Sequence, residues 1–103
     1  MMTIFSVYRM DRSDGRAGEI RARTRPAHRD YMARFADRVL CGGPLLDADG
    51  EGCGGFMLIE AESADEVQDI LDNDPFEIEG LSERIKVFEF RWQTNRPAHL
   101  PPL

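Results

Sequence analysis

The stretch Gly55-Phe56-Met57-Leu58-Ile59-Glu60-Ala61-Glu62-Ser63-Ala64-Asp65-Glu66 changes its period partway along. Its first seven residues are apolar on both sides of an extended chain, Phe56 and Leu58 opposing Met57 and Ile59, and read as a strand. Ser63-Ala64-Asp65-Glu66 is then a capping box, whose hydroxyl and carboxylate satisfy free N–H groups of a first helical turn. Val67, Ile70 and Leu71 follow at helical spacing. Upstream, Val39 to Leu46 reads as a strand interrupted by Gly42-Gly43-Pro44, and Asp47-Ala48-Asp49-Gly50 is a turn. Downstream, Asp74-Pro75 ends the helix, Phe76 to Glu83 forms a short helical turn, and Arg84 to Trp92 makes a last strand. At the other end, Thr3 to Arg9 is rich in β-branched and aromatic residues and reads as the first strand. Asp11 to Arg23 is a polar loop with Gly15 and Gly18. Pro26, whose fixed φ suits a first turn, opens a helix running to about Arg38, with Asp30 and Arg34 as an outer i,i+4 pair. The order is βαββαβ, the ferredoxin-like α+β arrangement with a four-stranded antiparallel sheet. Residues 1–93 form this domain, and residues 94–103, with three prolines and His99, form a tail outside the core.

The last strand sharpens the reading. Ile85 and Val87 face one way while Phe88, Phe90 and Trp92 face the other, so this strand, like the one at Phe56, is apolar on both sides. An antiparallel sheet with one wet face alternates cleanly. This one does not, and its second face needs a cover that two helices cannot supply. The sheet of a second copy is the simplest cover, so a homodimer is expected.

Charge divides along the chain. Met1 to Leu46 carries nine arginines against five acids, whereas Asp47 to Glu83 carries thirteen acids and no base. Basic and acidic segments of this kind suit pairing between copies. The net charge of −6 and the absence of a basic strip interleaved with aromatics exclude nucleic acid as the expected partner. No apolar run approaches the roughly 20 residues needed to cross a bilayer. The N-terminus lacks the pattern of a signal peptide, so no membrane association is expected and the setting is cytoplasmic. Cys41 and Cys53 flank the turn at positions where a hairpin could bring them face to face, but two cysteines are no disulfide framework. Neither they nor the two histidines form a known metal spacing, and no metal site is expected.

Tyr31, Met32, Phe35 and Val39 recur as an inward stripe, and His28 fills its preceding slot. After Val67, Ile70 and Leu71, the next position on that helix face is Asp74. Two helices thus each aim an ionisable group inward, and such a pair can hold and release a proton near neutral pH. The structural alternatives are specific. His28 in one lines the core, bonded to a backbone group, and Asp74 before proline suits an N-cap with Glu77 as its capping-box partner. Arg21, Arg23 and Arg25 approach a helix N-terminus, where they could hold a substrate carboxylate or else pair with acids. Tyr8 and Tyr31 are either pocket hydroxyls or core rings with wet tips. Six of nine glycines lie between Gly42 and Gly55, which suggests bulges or close backbone approach; the Gly50 to Gly55 run lacks the lysine of a phosphate loop.

Arg25-Pro26-Ala27-His28, Gly43-Pro44-Leu45-Leu46-Asp47, Asp74-Pro75-Phe76 and Phe90-Arg91-Trp92 together resemble the YciI-like family, over about residues 3 to 92. The resemblance implies a dimeric α+β barrel, two ferredoxin-like sheets packed face to face, similar in build to muconolactone isomerases and cofactor-free antibiotic-biosynthesis monooxygenases. It also implies an active site on a His–Asp pair, here His28 and Asp74, working by acid–base chemistry on small oxygenated molecules without metal or nucleotide. Arg25, Tyr31, Gly43, Pro44 and Phe76 are then the candidate substrate contacts. The expected protein is a cofactor-independent enzyme catalysing elimination or isomerisation of a small anionic metabolite. The alternative is a non-catalytic dimeric module that binds a small ligand or docks on a partner.

Overall fold

The computed structural model describes residues 1–101. The elements are β1 (Thr3–Asp11), α1 (Ala17–Ala33), β2 (Val39–Leu46), β3 (Gly52–Ala61), α2 (Ala64–Asp72), α3 (Pro75–Ile78) and β4 (Ser82–Glu89). The strands form one antiparallel sheet in the order β2-β3-β1-β4. This is the ferredoxin-like α+β fold. Among the described residues no helix is long and apolar enough to cross a membrane.

The first helix departs from expectation. It starts at Ala17, inside the stretch read as a polar loop, and ends at Ala33 rather than Arg38. The inward stripe extends upstream of His28 through Thr24 and Ile20, each four residues apart, and Ile20 is fully buried against Phe76 and Leu81. That contact outweighs the one backbone bond that Pro26 forfeits inside the helix. Residues 34–38 continue as tight turns, with Phe35 N–H donating to Met32 O at 2.9 Å and Val39 N–H to Phe35 O at 3.0 Å.

α2 begins as its capping box requires. Ser63 Oγ accepts from Glu66 N–H at 3.2 Å, while the Glu66 carboxylate reaches one residue further back, to Glu62 N–H at 3.0 Å. Val67, Ile70 and Leu71 of α2 pack with Phe5, Val7, Met57, Ile59 and Ala61 as the main core. β3 starts earlier than expected because glycine permits it. A Cβ on Gly54 would sit 2.2 Å from the Arg9 carbonyl oxygen, so only glycine fits against β1 there. β4 ends at Glu89, although Phe90 N–H still donates to Ile4 O at 2.8 Å. Beyond it Leu100, expected outside the core, is buried. Cys41 lies opposite Leu58 and Cys53 lies near the Leu45–Leu46 end of the β2–β3 register, so the two thiols do not face each other, and both are free.

The sheet has a helix-covered face and an open one. On the open face Tyr8 sits between Phe56 and Phe88, with ring centroids 5.1 and 6.5 Å away. Phe88 is 54% exposed and Tyr8 40%.

Candidate active site

The covered face carries a charged cluster at the junction of β1, α1 and α3. Asp74 is the N-cap of α3, its side chain accepting from Phe76 N–H at 2.9 Å, so the capping alternative holds as far as it goes. A carboxylate has room for more. The Nδ1 of His28 lies 2.8 Å from Oδ1 and 3.0 Å from Oδ2 of the same group, while Arg9 Nη1 donates to Oδ2 at 2.6 Å. Glu77 does not close a capping box on Asp74. Its Oε2 instead accepts from Arg9 Nη1 at 3.1 Å and from Ser82 Oγ at 2.9 Å. Asp74 is completely buried. Burial opposes its ionisation, but the bonds from His28 and Arg9, the Arg9 charge and the Phe76 N–H outweigh that, and its carboxyl titrates below its ordinary range.

Two perpendicular contacts fix the His28 ring. Asp74 holds its edge, and Phe76 stacks on its face with centroids 4.0 Å apart and planes inclined by 16°. The Arg21 guanidinium lies 5.6 Å from the Phe76 ring centroid. Because an ionised carboxylate only accepts, Nδ1 carries the hydrogen and Nε2 is left with a lone pair in the neutral ring. Nε2 has no hydrogen-bond partner among the described residues, and His28 lines a cavity of about 510 Å³. The cavity is apolar along Met32, Val39, Met57 and Leu81 and has backbone walls at Gly42, Gly43, Gly54 and Gly55.

The structure brings His28, Arg25, Gly43, Pro44 and Phe76 to this cavity, with Asp74 behind His28. Phe76 is largely buried and serves His28 as a platform. Tyr31 lies elsewhere: its hydroxyl donates to Ile70 O at 2.6 Å and its ring packs against Phe35. Burial, then the charge of Asp74, pushes that hydroxyl's pKa up. Tyr8 is on the opposite face of the sheet. The arginines separate as well, because the helix N-terminus at Ala17 is not beside them. Arg21 is held by Asp11 at 2.6 and 3.0 Å, and Arg23 pairs with Glu19 and Glu79. Arg25 and Arg29, one helical turn apart, line the cavity without a carboxylate partner among the described residues. Among those residues no three His, Cys, Asp or Glu side chains cluster as metal ligands.

Sequence reasoning missed Arg9. Its signal was present: Phe5, Val7 and Arg9 share one parity of β1, and an arginine on an inward parity requires a buried acid to meet it.

The chain and its fold have known counterparts. The YCII-related domain matches residues 1–91. Protein YciI of Escherichia coli O6:H1 is 30% identical over 96 residues, covering 85% of this chain and 96% of that protein, and the Shigella flexneri YciI matches equally. Among solved structures, 5-chloro-2-hydroxyhydroquinone dehydrochlorinase (TftG) from Burkholderia phenoliruptrix AC1100, in complex with 2,5-dihydroxybenzoquinone, is 36% identical with a TM-score of 0.75. That match covers 87% of this chain and 93% of TftG. A NIPSNAP family protein from Agrobacterium tumefaciens, 14% identical with a TM-score of 0.57 over 95% of this chain and 99% of its own, shares the fold. Family match, near-complete coverage and ferredoxin-like architecture agree: the chain belongs to the YCII-related family, the family of YciI.

Proposed function

We propose that this protein is a small acid–base enzyme in which His28 moves a proton on a small, anionic, oxygenated substrate. The observation that carries the reading is the His28 ring, bonded to buried Asp74 through Nδ1 and lining an open cavity with Nε2 unpartnered among the described residues. Neutral Nε2 takes a proton from a carbon or hydroxyl of the substrate. The imidazolium so formed is stabilised by Asp74 and then gives up its proton, in an elimination to an oxygen leaving group or, where chloride departs as the anion, to water, and in an isomerisation to another atom of the substrate. Arg25 and Arg29 carry the unneutralised positive charge at the cavity and suit the anionic group. Every step uses side chains of this chain. The name of the 36% identical relative, a dehydrochlorinase, supports elimination, since loss of hydrogen chloride removes a proton and a leaving group from one molecule.

The proposed assembly is a homodimer through the open sheet face, supported by the exposed aromatic row of Tyr8 and Phe88. Chloride release from chlorinated hydroxyhydroquinones, followed by electrode, tests the chemistry. Wild-type protein turns over, and His28→Ala loses about 10²- to 10⁴-fold in rate while keeping its cooperative melting. Full activity in His28→Ala overturns the role given to His28. A wild type inert toward chlorinated and non-chlorinated ring substrates alike overturns the enzyme reading.

A further inference from the structure

The same nitrogen of Arg9, Nη1, touches two carboxylates, Asp74 Oδ2 at 2.6 Å and Glu77 Oε2 at 3.1 Å, and only Asp74 of the two touches His28. The Arg9 side chain is 12% exposed, that of Glu77 10% and that of Asp74 0%, so water screens this cluster little. We propose that Arg9 is a positioning residue that sets the pH at which His28 takes up and releases its proton, acting through Asp74 against the counterweight of Glu77. The inference deepens the acid–base reading and rests on it for its catalytic meaning.

The argument is one of sign. With neutral His28, the cluster of Arg9, Asp74 and Glu77 carries one positive and two negative charges, and protonated His28 brings it to neutrality. Arg9 both repels an imidazolium and satisfies Asp74 without one, so it favours the neutral ring, the form that can act as base. Glu77 shares the Arg9 guanidinium and adds negative charge, so it favours the charged ring. The other ionisable groups around His28 are few. Arg21, Arg25 and Arg29 come from its own helix, with Arg21 neutralised by Asp11; Asp74 and Glu77 come from α3 and its cap; Arg9 comes from β1. The glycine-rich wall of β2 and β3 brings no ionisable side chain to the cavity. Arg9 is thus the positive group that β1 supplies to the carboxylate holding the ring, and it also ties the sheet to α3.

The test follows the ring protons of His28 by NMR against pH in wild type, Arg9→Met and Glu77→Gln. His99, exposed in the C-terminal segment, serves as an internal reference. Arg9→Met is expected to move the His28 midpoint up by about one pH unit or more, Glu77→Gln to move it down, and His99 to stay in place. Folded variants whose His28 midpoint does not move, or moves the same way in both, overturn the proposal and leave Arg9 a structural tie. Should Arg9→Met fail to fold, the downward shift in Glu77→Gln decides alone. The titration requires no substrate, so an inert wild type sinks the enzyme reading and not this one. With turnover in hand, the lower limb of the pH profile of kcat/KM moves in the same directions.

Discussion

The helix-covered face of the sheet and its open face are made by alternate residues of the same strands, yet they are finished to different degrees. In β1, Phe5, Val7 and Arg9 enter the covered side, where Arg9 finds Asp74 and Glu77 and the apolar pair joins the core. Tyr8 enters the open side, beside Phe56 and a Phe88 that is more than half exposed. A face completed within one chain can hold the His28–Asp74 pair in fixed geometry. A face left apolar and uncovered asks for another surface, and that is where the proposed second copy would sit.

The comparison breaks most sharply at Asp74. Asp74→Ala removes the cap of α3 and leaves Arg9 without its most buried partner, and is expected to cost about 3–5 kcal/mol as well as activity. Asp74→Asn keeps an oxygen for Phe76 N–H and removes the charge. It should lose turnover with a smaller fall in melting temperature. Equal losses of stability in the two variants would mean that the charge, not the cap, is the chief contribution of Asp74.

On the open face the expected effect is on assembly. Phe88→Glu puts a charge in the middle of the aromatic row and should raise the dimer dissociation constant by about 30-fold or more, read by sedimentation against concentration, with the monomer still folded. A wild type that sediments as a monomer at high concentration would sink the dimer and leave the open face unexplained.

How much of this was legible in the chain depends on whether a signal is local. β2 was read to its ends because Val39 to Leu46 is bounded by turns, and Ser63 identified the start of α2 because a capping serine is a property of four adjacent residues. The start of α1 was misplaced because Pro26 offers a stronger local signal than Ile20, whose burial against Phe76 and Leu81 exists only after the chain has folded. His28 and Asp74 were found by periodicity and motif. Arg9 was overlooked because its partners lie 65 and 68 residues away, although its parity in β1 marked it. Tyr31 belongs by periodicity to the inward stripe and became a candidate substrate contact only with the family resemblance. The Ile70 carbonyl that occupies its hydroxyl depends on how α1 and α2 pack, which periodicity does not specify.

Acid separates the faces again. The Asp74 carboxyl titrates below its ordinary value of 3.8, so it contributes stability that is complete above that value and is lost as pH falls through its folded pKa. Between about pH 5 and pH 2 wild type should lose more stability than Asp74→Asn, measured by denaturant unfolding, and the two curves should converge at the acid end. Phe88→Glu, altered on the open face, should keep the wild-type acid slope that Asp74 contributes. Parallel curves for wild type and Asp74→Asn would show that Asp74 keeps an ordinary affinity for its proton.

The smallest expected effect probes the covered face where it is not finished. Thr24 is 6% exposed, one helical turn before His28, and its Oγ1 has no hydrogen-bond partner among the described residues. A buried hydroxyl without a partner costs free energy, and valine has nearly the same shape without the polar atom. Thr24→Val should therefore leave the melting temperature unchanged or raise it, by an amount worth about 1 kcal/mol at most, with turnover unaffected. A clear fall in stability would mean that the hydroxyl bonds an ordered water inside the covered face. A fall in turnover at unchanged stability would extend the site one turn up α1, from His28 to Thr24.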